Sequence, residues 1–482
     1  MTELAYKSMA DGNIIAAQVP HSVRVALTTL GCKVNQYDTA TIEDRLRGAG
    51  HTIVPFADTA DVYVVNSCTV TNQADAESRQ LARRAKRANP IARVIMTGCY
   101  AQVNPKAVAK VPEVDYVIGL NRLDDLLRAV TNDISLERIS VSNLRKQGET
   151  PRVDTLGAMT FSGQTRAFLK IQEGCDLFCT FCIVPMSRGK SRSVPPRTVL
   201  EQLDRLAARG FQEVVLTGIH LGGYGEDLDP PVDLVWLLEA IEERTPVPRI
   251  RISSLDPHEI SGPLIRLLAR SDMLCPHLHI PLQAGADYTL ERMRRRYDTA
   301  LAQRVLTQLR ETLPHASLGT DLIVGFPGES EKEFSQTISF LEDSPFTYFH
   351  VFPYSVRSGT TAAKFADKVP QPVIDARSRY IRKLGETKKT TFARRFVGQT
   401  LPVLFEHTRD RNTGLLKGYS RNYIRVLAEG GDEYMNQEMS VTIQRTTGGT
   451  AWGIICGGRR NAKRETRNTP PHSRDFGLRT PD

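Results

Sequence analysis

From Val23 to about Asn132, short β-branched runs alternate with amphipathic windows. VRVALTTL, DVYVVN, ARVIMTG and VDYVIG read as strands, whereas TATIEDRLRGAG and AESRQLARRAKRAN repeat their apolar positions at helical spacing. Gly48 and Gly50 fall where a helix C-cap belongs. Strands linked through helices predict a parallel sheet in one small three-layer domain. Residues 133–165 are polar, rich in Ser, Arg and Gly, and hold neither period, which predicts a linker with one strand pair.

The alternation returns at Arg166. AFLKIQ, EVVLTG, RIRISS, HLHIPL, SLGTDLIVG and YFHVFPY are six successive strands, with helical windows starting near Pro196, Asp233, Glu259, Asp298 and Ser330. That count predicts a partial (β/α)6 barrel rather than the full eight-stranded one. A basic helix, Ala376 to Arg395, leads to a segment of different grammar. TLPVLFE, TGLLKGYS, NYIRVLA, MSVTIQR and TAWGIIC are short strands divided by Gly, Asn and Asp turns, the pattern of a small antiparallel β-barrel. The fold class is therefore α/β with an all-β C-terminal unit. The expected division is a leader at 1–22, an N-terminal domain at 23–132, the linker at 133–165, the barrel with its helix at 166–395, the β-barrel at 396–456 and a basic tail at 457–482. The tail holds seven Lys or Arg against three acids and almost no apolar residues, so disorder is expected there.

Composition adds partners and compartment. The 482 residues carry 63 Lys and Arg against 54 Asp and Glu, a net charge of +9, which suits a polyanionic partner without requiring one. No apolar window approaches a membrane span and the first residues lack a signal-peptide pattern, so a cytoplasmic protein with no membrane partner is expected. Eight Cys in such a chain then point to packing, metal or redox chemistry rather than disulfides.

Cys175, Cys179 and Cys182 form a C-x3-C-x2-C run directly after the first barrel strand. A structural zinc site wants four protein ligands, and between Cys99 and His220 there is no other Cys or His. Three thiolates can hold three irons of a 4Fe–4S cluster and leave the fourth open. At the C-terminal mouth of a barrel, an open iron can bind the amino and carboxylate groups of S-adenosylmethionine and pass it an electron. Cys32, Cys68 and Cys99 each end a strand of the N-terminal sheet, so they line one edge of it, and a second three-cysteine cluster is expected there. Cys275 and Cys456 have no partner nearby in sequence and are read as packing residues.

GCKVNQYD, the C-x3-C-x2-C run, LTGIHLGGYG, HLHIPLQAGAD, GTDLIVGFPGE and FPYSVRSGT together resemble the radical-SAM methylthiotransferase family over roughly residues 23–456. GCKVN and LTGIHLG are most similar to the branch acting on N6-threonylcarbamoyladenosine at tRNA position 37, beside the anticodon. The resemblance implies a flavodoxin-like N-terminal domain with an auxiliary 4Fe–4S cluster, a radical-SAM barrel and a C-terminal TRAM domain that binds RNA. All six cluster cysteines of the pattern are present. The implied reaction replaces the C2 hydrogen of the modified adenosine with a methylthio group. One cluster would generate a 5′-deoxyadenosyl radical, and the other would carry sulfur methylated by a second S-adenosylmethionine. Implied partners are a tRNA anticodon loop, a flavodoxin- or ferredoxin-like electron donor and a sulfur source. Alternatives are the same chemistry on isopentenyl-adenosine in tRNA or on an aspartate of a ribosomal protein, and, in another class, a non-enzymatic iron–sulfur sensor that binds RNA.

The barrel's strand ends also supply Gly218, Ser253, Ser254, Gln283, Asp321 and Arg357. Of these, Gly218, Ser253, Gln283 and Asp321, with Phe181 from the cysteine run, are expected to contact S-adenosylmethionine. GFPGE lacks the Lys and Ser/Thr of a phosphate loop. In the last segment Lys417, Tyr419, Arg421, Tyr423 and Arg425 alternate basic and aromatic, a face suited to phosphates and unpaired bases. The run Arg292, Arg294, Arg295, Arg296 would either line the same RNA path or, as charge runs usually are, simply be solvated.

Overall fold

The computed structural model describes residues 22–146, 158, 161 and 163–456. The expected basic tail, the leader up to residue 21 and much of the expected linker lie outside the described residues. The first sheet contains β1 (Arg24–Thr29), β2 (Thr52–Val54), β3 (Val62–Ser67), β4 (Arg93–Thr97), β5 (Tyr116–Ile118) and β6 (Ile139–Ser140). Its order is β2-β1-β3-β4-β5-β6, and every pairing is parallel. The short edge strand β6 comes from the segment read as linker.

Side chains sort by the two-residue period of a strand. Ala26, Tyr63, Val94 and Met96 pack on one face with Ala82 and Ala85 of the helix Asn72–Ala88. Val25, Val62, Val64 and Ile95 pack on the other with Ile42 and Leu46 of the helix Lys33–Gly48. Helices thus cover both faces, and the chain reverses direction of travel across the sheet between β1 and β3, the place where such sheets bind ligands.

The barrel strands are β7 (Arg166–Lys170), β10 (Glu213–Thr217), β11 (Arg249–Ile252), β12 (His277–His279), β13 (Ser317–Val324) and β14 (Tyr348–Pro353), with a two-stranded ribbon of β8 (Gln172–Glu173) and β9 (Arg192–Ser193) after the first. They form the parallel sheets β11-β10-β7 and β12-β13-β14, joined by a bridge between Ser254 and His279. The result is an open arc of six strands in chain order. Helix starts follow local chemistry: Asp233, Ser261, Asp298 and Ser330 each cap a helix by accepting a backbone N–H.

The helix Gln371–Arg394 packs along β14 and feeds a closed barrel of β15 (Thr400–Arg409), β16 (Leu416–Ser420), β17 (Arg425–Ala428), β18 (Glu438–Thr447) and β19 (Thr450–Ile455), in the order β15-β16-β17-β19-β18. Four pairings are antiparallel, and β17 with β19 is parallel. Closure leaves no strand edge unpaired.

The outer domains hold the arc from different sides. Tyr37 and Ala40 of the first domain share one apolar cluster with Ala167 and Leu169 of β7. Beyond β14, Arg357 reaches back to Asp75 (2.7 Å) and Thr69 (2.5 Å). The first domain therefore spans from the β7 edge to the loop after β14. The C-terminal barrel docks at the opposite, N-terminal ends of the strands, through Arg249–Glu438 (3.1 Å), Arg166–Glu406 (3.2 Å) and Tyr423 against His277 (ring centroids 4.4 Å apart).

Candidate functional site

The first cysteine trio lies on the loop that leaves β8. Gly174 opens it with φ +73°, and a Cβ there would sit 1.9 Å from the carbonyl oxygen of Lys190, so only glycine fits. The Cys175 N–H donates to Gly189 O (3.1 Å) and the Cys182 N–H to Cys179 O (3.0 Å). Thr180 ties the loop across the barrel, its N–H donating to Met293 O (3.1 Å) and its hydroxyl to Arg292 O (2.8 Å). Burial pushes the Cys175 thiol up to about 11 and the Cys182 thiol up to about 12. Such thiols become thiolates when a bound cation offsets the desolvation.

Arg295 supplies part of that positive charge. Its Nη1 lies 3.0 Å from Cys179 Sγ, while Asp256 (2.5 Å) and Tyr297 OH (3.0 Å) hold the guanidinium. Of the arginine run, Arg294 and Arg296 are exposed, as a solvated run would be, and the expectation is corrected for Arg295. Arg295 turns inward, because the thiol, Asp256 and Tyr297 give its guanidinium partners that offset burial.

The second trio converges at the edge of the first sheet. Cys32 precedes the helix Lys33–Gly48, Cys68 follows β3, and Cys99 lies in the first turn of the helix Gly98–Val103. Gly31 has φ +100°, and a Cβ there would lie 2.8 Å from Cys68 Sγ, so its hydrogen makes room for that sulfur. Asn35 Oδ1 stands between the other two, 3.9 Å from Cys32 Sγ and 3.8 Å from Cys99 Sγ. Burial raises the Cys68 thiol to about 11 and raises Cys99 as well.

Neither trio forms a single-ion shell. Among the described residues, the group whose ligand atoms all lie within 4.8 Å of one another is His279, Asp321 and His350. A lone zinc would draw three sulfurs closer than that, whereas a cubane cluster holds its thiolates farther apart.

A buried charge ring joins the trios. Arg188, from the helix that follows the first trio, donates to Asn35 Oδ1 and lies 3.4 Å through Nε from Cys99 Sγ. It also pairs with Asp38 (2.8 Å) and Glu173 (2.9 Å), and Lys170 pairs with the same two carboxylates at 2.7 Å each. Sequence reading missed Arg188 and Asn35, polar residues that follow Cys182 and Cys32 closely along the chain, and named Arg295 only as part of a charge run. A cavity of about 310 Å³ adjoins this ring, lined by residues including Asn66, Thr97 and Arg188.

The remaining expected residues fall as follows. Gly218 follows β10 and packs on Gln172, whose Oε1 accepts the N–H groups of Ile219 (2.9 Å) and His220 (2.8 Å). Ser253 is buried just after β11. Gln283 has φ +68°, and its N–H donates to Asp321 O (2.9 Å). Asp321 accepts from His279 Nε2 (2.9 Å) and His350 Nδ1 (3.1 Å), and those imidazoles outweigh burial to hold its carboxyl well below the usual range. Phe181 packs half-buried against the barrel core. Arg357 belongs to the domain joint rather than the barrel mouth. Cys275 is buried, whereas Cys456 is exposed at the end of β19, so packing does not describe it.

The five basic and aromatic residues of the C-terminal barrel do not share one open face. Arg421 pairs with Glu438 (2.8 Å), and Tyr423 lies between Tyr419 (4.9 Å) and His277 in the joint with the larger barrel. Lys417 and Arg425 keep partly exposed side chains but pair with Glu406 (3.6 Å) and Asp410 (2.6 Å).

Residues 24–119 match the family model described as Uncharacterized protein family UPF0004, and residues 169–341 match that of the Radical SAM superfamily. The chain is 40% identical over 424 residues to the threonylcarbamoyladenosine tRNA methylthiotransferase MtaB of Bacillus subtilis, covering 87% of this chain and 93% of that one. The MtaB of Aquifex aeolicus is 40% identical over 414 residues, covering 85% and 98%. A tRNA-2-methylthio-N(6)-dimethylallyladenosine synthase of Clostridium botulinum is 31% identical over 430 residues, covering 86% and 93%. Among solved structures, the radical S-adenosylmethionine methyltransferase TsrM of Kitasatospora setae superposes with a TM-score of 0.49 at 16% identity, over 68% of this chain and 72% of that one. No helix among the described residues is long and apolar enough to cross a membrane.

Proposed function

Because the chain belongs to the radical-SAM methylthiotransferase family, we propose that it converts N6-threonylcarbamoyladenosine at tRNA position 37 to the 2-methylthio derivative, each cysteine trio holding one 4Fe–4S cluster. The observation that carries this reading is the 40% identity to a threonylcarbamoyladenosine-modifying relative across 87% of the chain, against 31% for the dimethylallyladenosine relative.

Two trios of thiols, each spread wider than a single-ion shell, suit the cluster at both places. Cys175, Cys179 and Cys182 would hold the cluster that binds and reduces S-adenosylmethionine, and Cys32, Cys68 and Cys99 the one that supplies sulfur. When bound, they contribute electron transfer to the sulfonium at the barrel and a sulfur source at the sheet edge.

The chain's own residues do the positioning. Thr180 and Gly174 fix the barrel loop, and Arg295 places positive charge at Cys179. The Arg188 ring sets one trio relative to the other, with Asp38 and Asn35 in the first domain and Lys170, Glu173 and Arg188 in the barrel. Phe181, Gly218, Ser253, Gln283 and Asp321 would line the S-adenosylmethionine site. In this reading residues 23–132 carry the auxiliary cluster, 166–395 the radical chemistry and 396–456 the contact with RNA. Lys417 and Arg425, whose side chains are 24% and 40% exposed, are the positions left for phosphate. Anticodon-loop binding, a flavodoxin- or ferredoxin-like reductant, a sulfur source and a cytoplasmic location complete the reading.

The test is a paired product assay on anaerobically reconstituted protein, with dithionite as reductant. Wild type should bind about eight irons per chain. Ala at Cys175, Cys179 and Cys182 should abolish 5′-deoxyadenosine. Ala at Cys32, Cys68 and Cys99 should leave 5′-deoxyadenosine and abolish methylthiolated nucleoside. A barrel variant that still cleaves the cofactor, or an N-terminal variant that still methylthiolates over several turnovers, overturns the assignment.

A further inference from the structure

Strand β14 alternates between two surroundings. Phe349 packs outward on Gly385 of the helix Gln371–Arg394, whereas Tyr348 points inward, its hydroxyl 2.8 Å from His277 Nε2 and 3.3 Å from His279 Nδ1. By the two-residue period of a strand, His350 and Phe352 share the inward face with Tyr348. Yet these two side chains are 55% and 40% exposed. The arc stays open between β14 and β7, so its last strand lines a space that solvent can enter.

His350 is set to hold a ligand there. It lies beside Asp321 in the register of β13 and β14, and its Nδ1 donates to Asp321 Oδ1 (3.1 Å), which His279 Nε2 also reaches (2.9 Å). The ring is thereby fixed, stacked with its centroid 5.1 Å from that of His279. Its Nε2 makes no hydrogen bond or ion pair among the described residues. A carboxylate at Nε2 would give the imidazolium an anion on each side.

The far end of this face meets the second cysteine trio. The loop after β14 is stitched to the loop after Cys68: Ser355 Oγ accepts the Asn72 N–H (3.0 Å), and Arg357 donates to Asn72 Oδ1 (2.7 Å) as well as to Thr69 and Asp75. Val356 and Val70, on those two loops, are exposed like Phe352. The open side thus has an apolar rim that ends two residues from Cys68.

On adenine, C2 and the N6 substituent flank N1 along one edge of the ring. A base that turns C2 toward that trio therefore sends its N6 arm to one side, where β14 offers first Phe352 and then His350. The threonylcarbamoyl arm ends in a carboxylate, the group that the open Nε2 suits. We propose that the inward face of β14 binds the target adenosine: Phe352 stacks on the base, His350 binds the threonylcarbamoyl carboxylate, and Asp321 is a positioning residue that holds His350. The inference rests on the proposed function and names the residues that read its substrate.

The experiment measures the Kd and KM of anticodon stem-loops for the holoenzyme as wild type, H350A, H350N, F352A, D321N and D321N with H350A. The stem-loop carries threonylcarbamoyladenosine either as the free acid or as its methyl ester. H350A, and H350N whose amide can still donate to Asp321, should weaken the acid by about 10- to 100-fold and leave the ester unchanged, with wild-type iron and sulfide content. F352A should weaken acid and ester alike by about 10-fold, as loss of a stacked base does. D321N should weaken the acid alone, and combined with H350A should lose no more than H350A does; additive losses would remove Asp321 from the positioning role. Equal loss for acid and ester in the His350 variants, or no loss for either, overturns the inference. Loss of iron in both His350 variants overturns it too, because the histidine would then belong to the scaffold. An F352A enzyme that spares both stem-loops overturns the stacking. If wild type itself fails on the acid and methylthiolates an isopentenylated stem-loop, it is the proposed function that fails.

Discussion

Replacing Glu213 with Gln should cost the barrel about 3 kcal/mol and remove part of its acid sensitivity. Glu213 opens β10 with no exposed surface, and its carboxylate accepts from Arg249 Nη2 (2.7 Å) and Arg251 Nε (2.8 Å). Burial alone would raise its pKa, but Arg251 and Arg249, helped by Arg166, outweigh it and bring the value to about 2, against an ordinary 4.5. A depressed carboxyl stabilises the fold fully above its unfolded pKa, and the contribution fades as pH falls from there through about 2. That gap corresponds to roughly 3 kcal/mol, and removing one partner of a buried pair costs a similar amount, about 3–5 kcal/mol. The glutamine amide can accept one guanidinium N–H but neutralises neither charge.

The assay exploits the tryptophan count. Trp236 lies in a barrel helix and Trp452 in the C-terminal barrel, so a W452F background leaves fluorescence that reports the barrel alone. Urea unfolding from pH 7 down to pH 2 should show wild type losing its advantage over E213Q as the pH drops below about 4.5. Other carboxylates titrate equally in both proteins and cancel in the difference. An E213Q barrel within about 1 kcal/mol of wild type at pH 7, well below the cost of a broken buried pair, would refute the reasoning. So would a difference that does not shrink with acid.

Two further outcomes follow from local geometry. Gly174→Ala forces a Cβ against the Lys190 carbonyl at a φ of +73°, so iron content should fall toward the amount of one cluster, with 5′-deoxyadenosine formation lost; full iron loading would contradict this. Arg295→Gln removes a guanidinium 3.0 Å from Cys179 Sγ, so the barrel cluster's midpoint potential, followed by EPR in a redox titration, should become more negative; an unchanged or higher potential would show that Arg295 does not act on the cluster.

Legibility in the sequence tracked how local each cause was. Asp233, Asp298 and Ser330 announced helix starts because a cap is settled within four residues. The barrel strands were readable because continuous apolar runs reflect burial on both faces. By contrast β2 and β6 span three and two residues, too few for any period to register. The helix after Cys32 begins at Lys33, ahead of the Thr39 suggested by its apolar spacing. Its first turns carry Asn35 and Asp38, polar residues that face thiols and a charge ring, so an apolar count there sees no buried face.

The basic and aromatic alternation at residues 417–425 shows the limit of periodicity from the other side. It correctly separates Leu416 and Val426, in the small barrel's core, from the side chains that point outward. What lies outside is a separate matter. For Tyr423 it is His277, with Arg251 4.8 Å from the tyrosine ring, so an outward face became an interior joint. Arg295 carries the same lesson for charge. It looks like surface when read along the chain, yet it faces a thiol. Partners distant in sequence decide what such a cation does, and those partners come together only when the three domains pack.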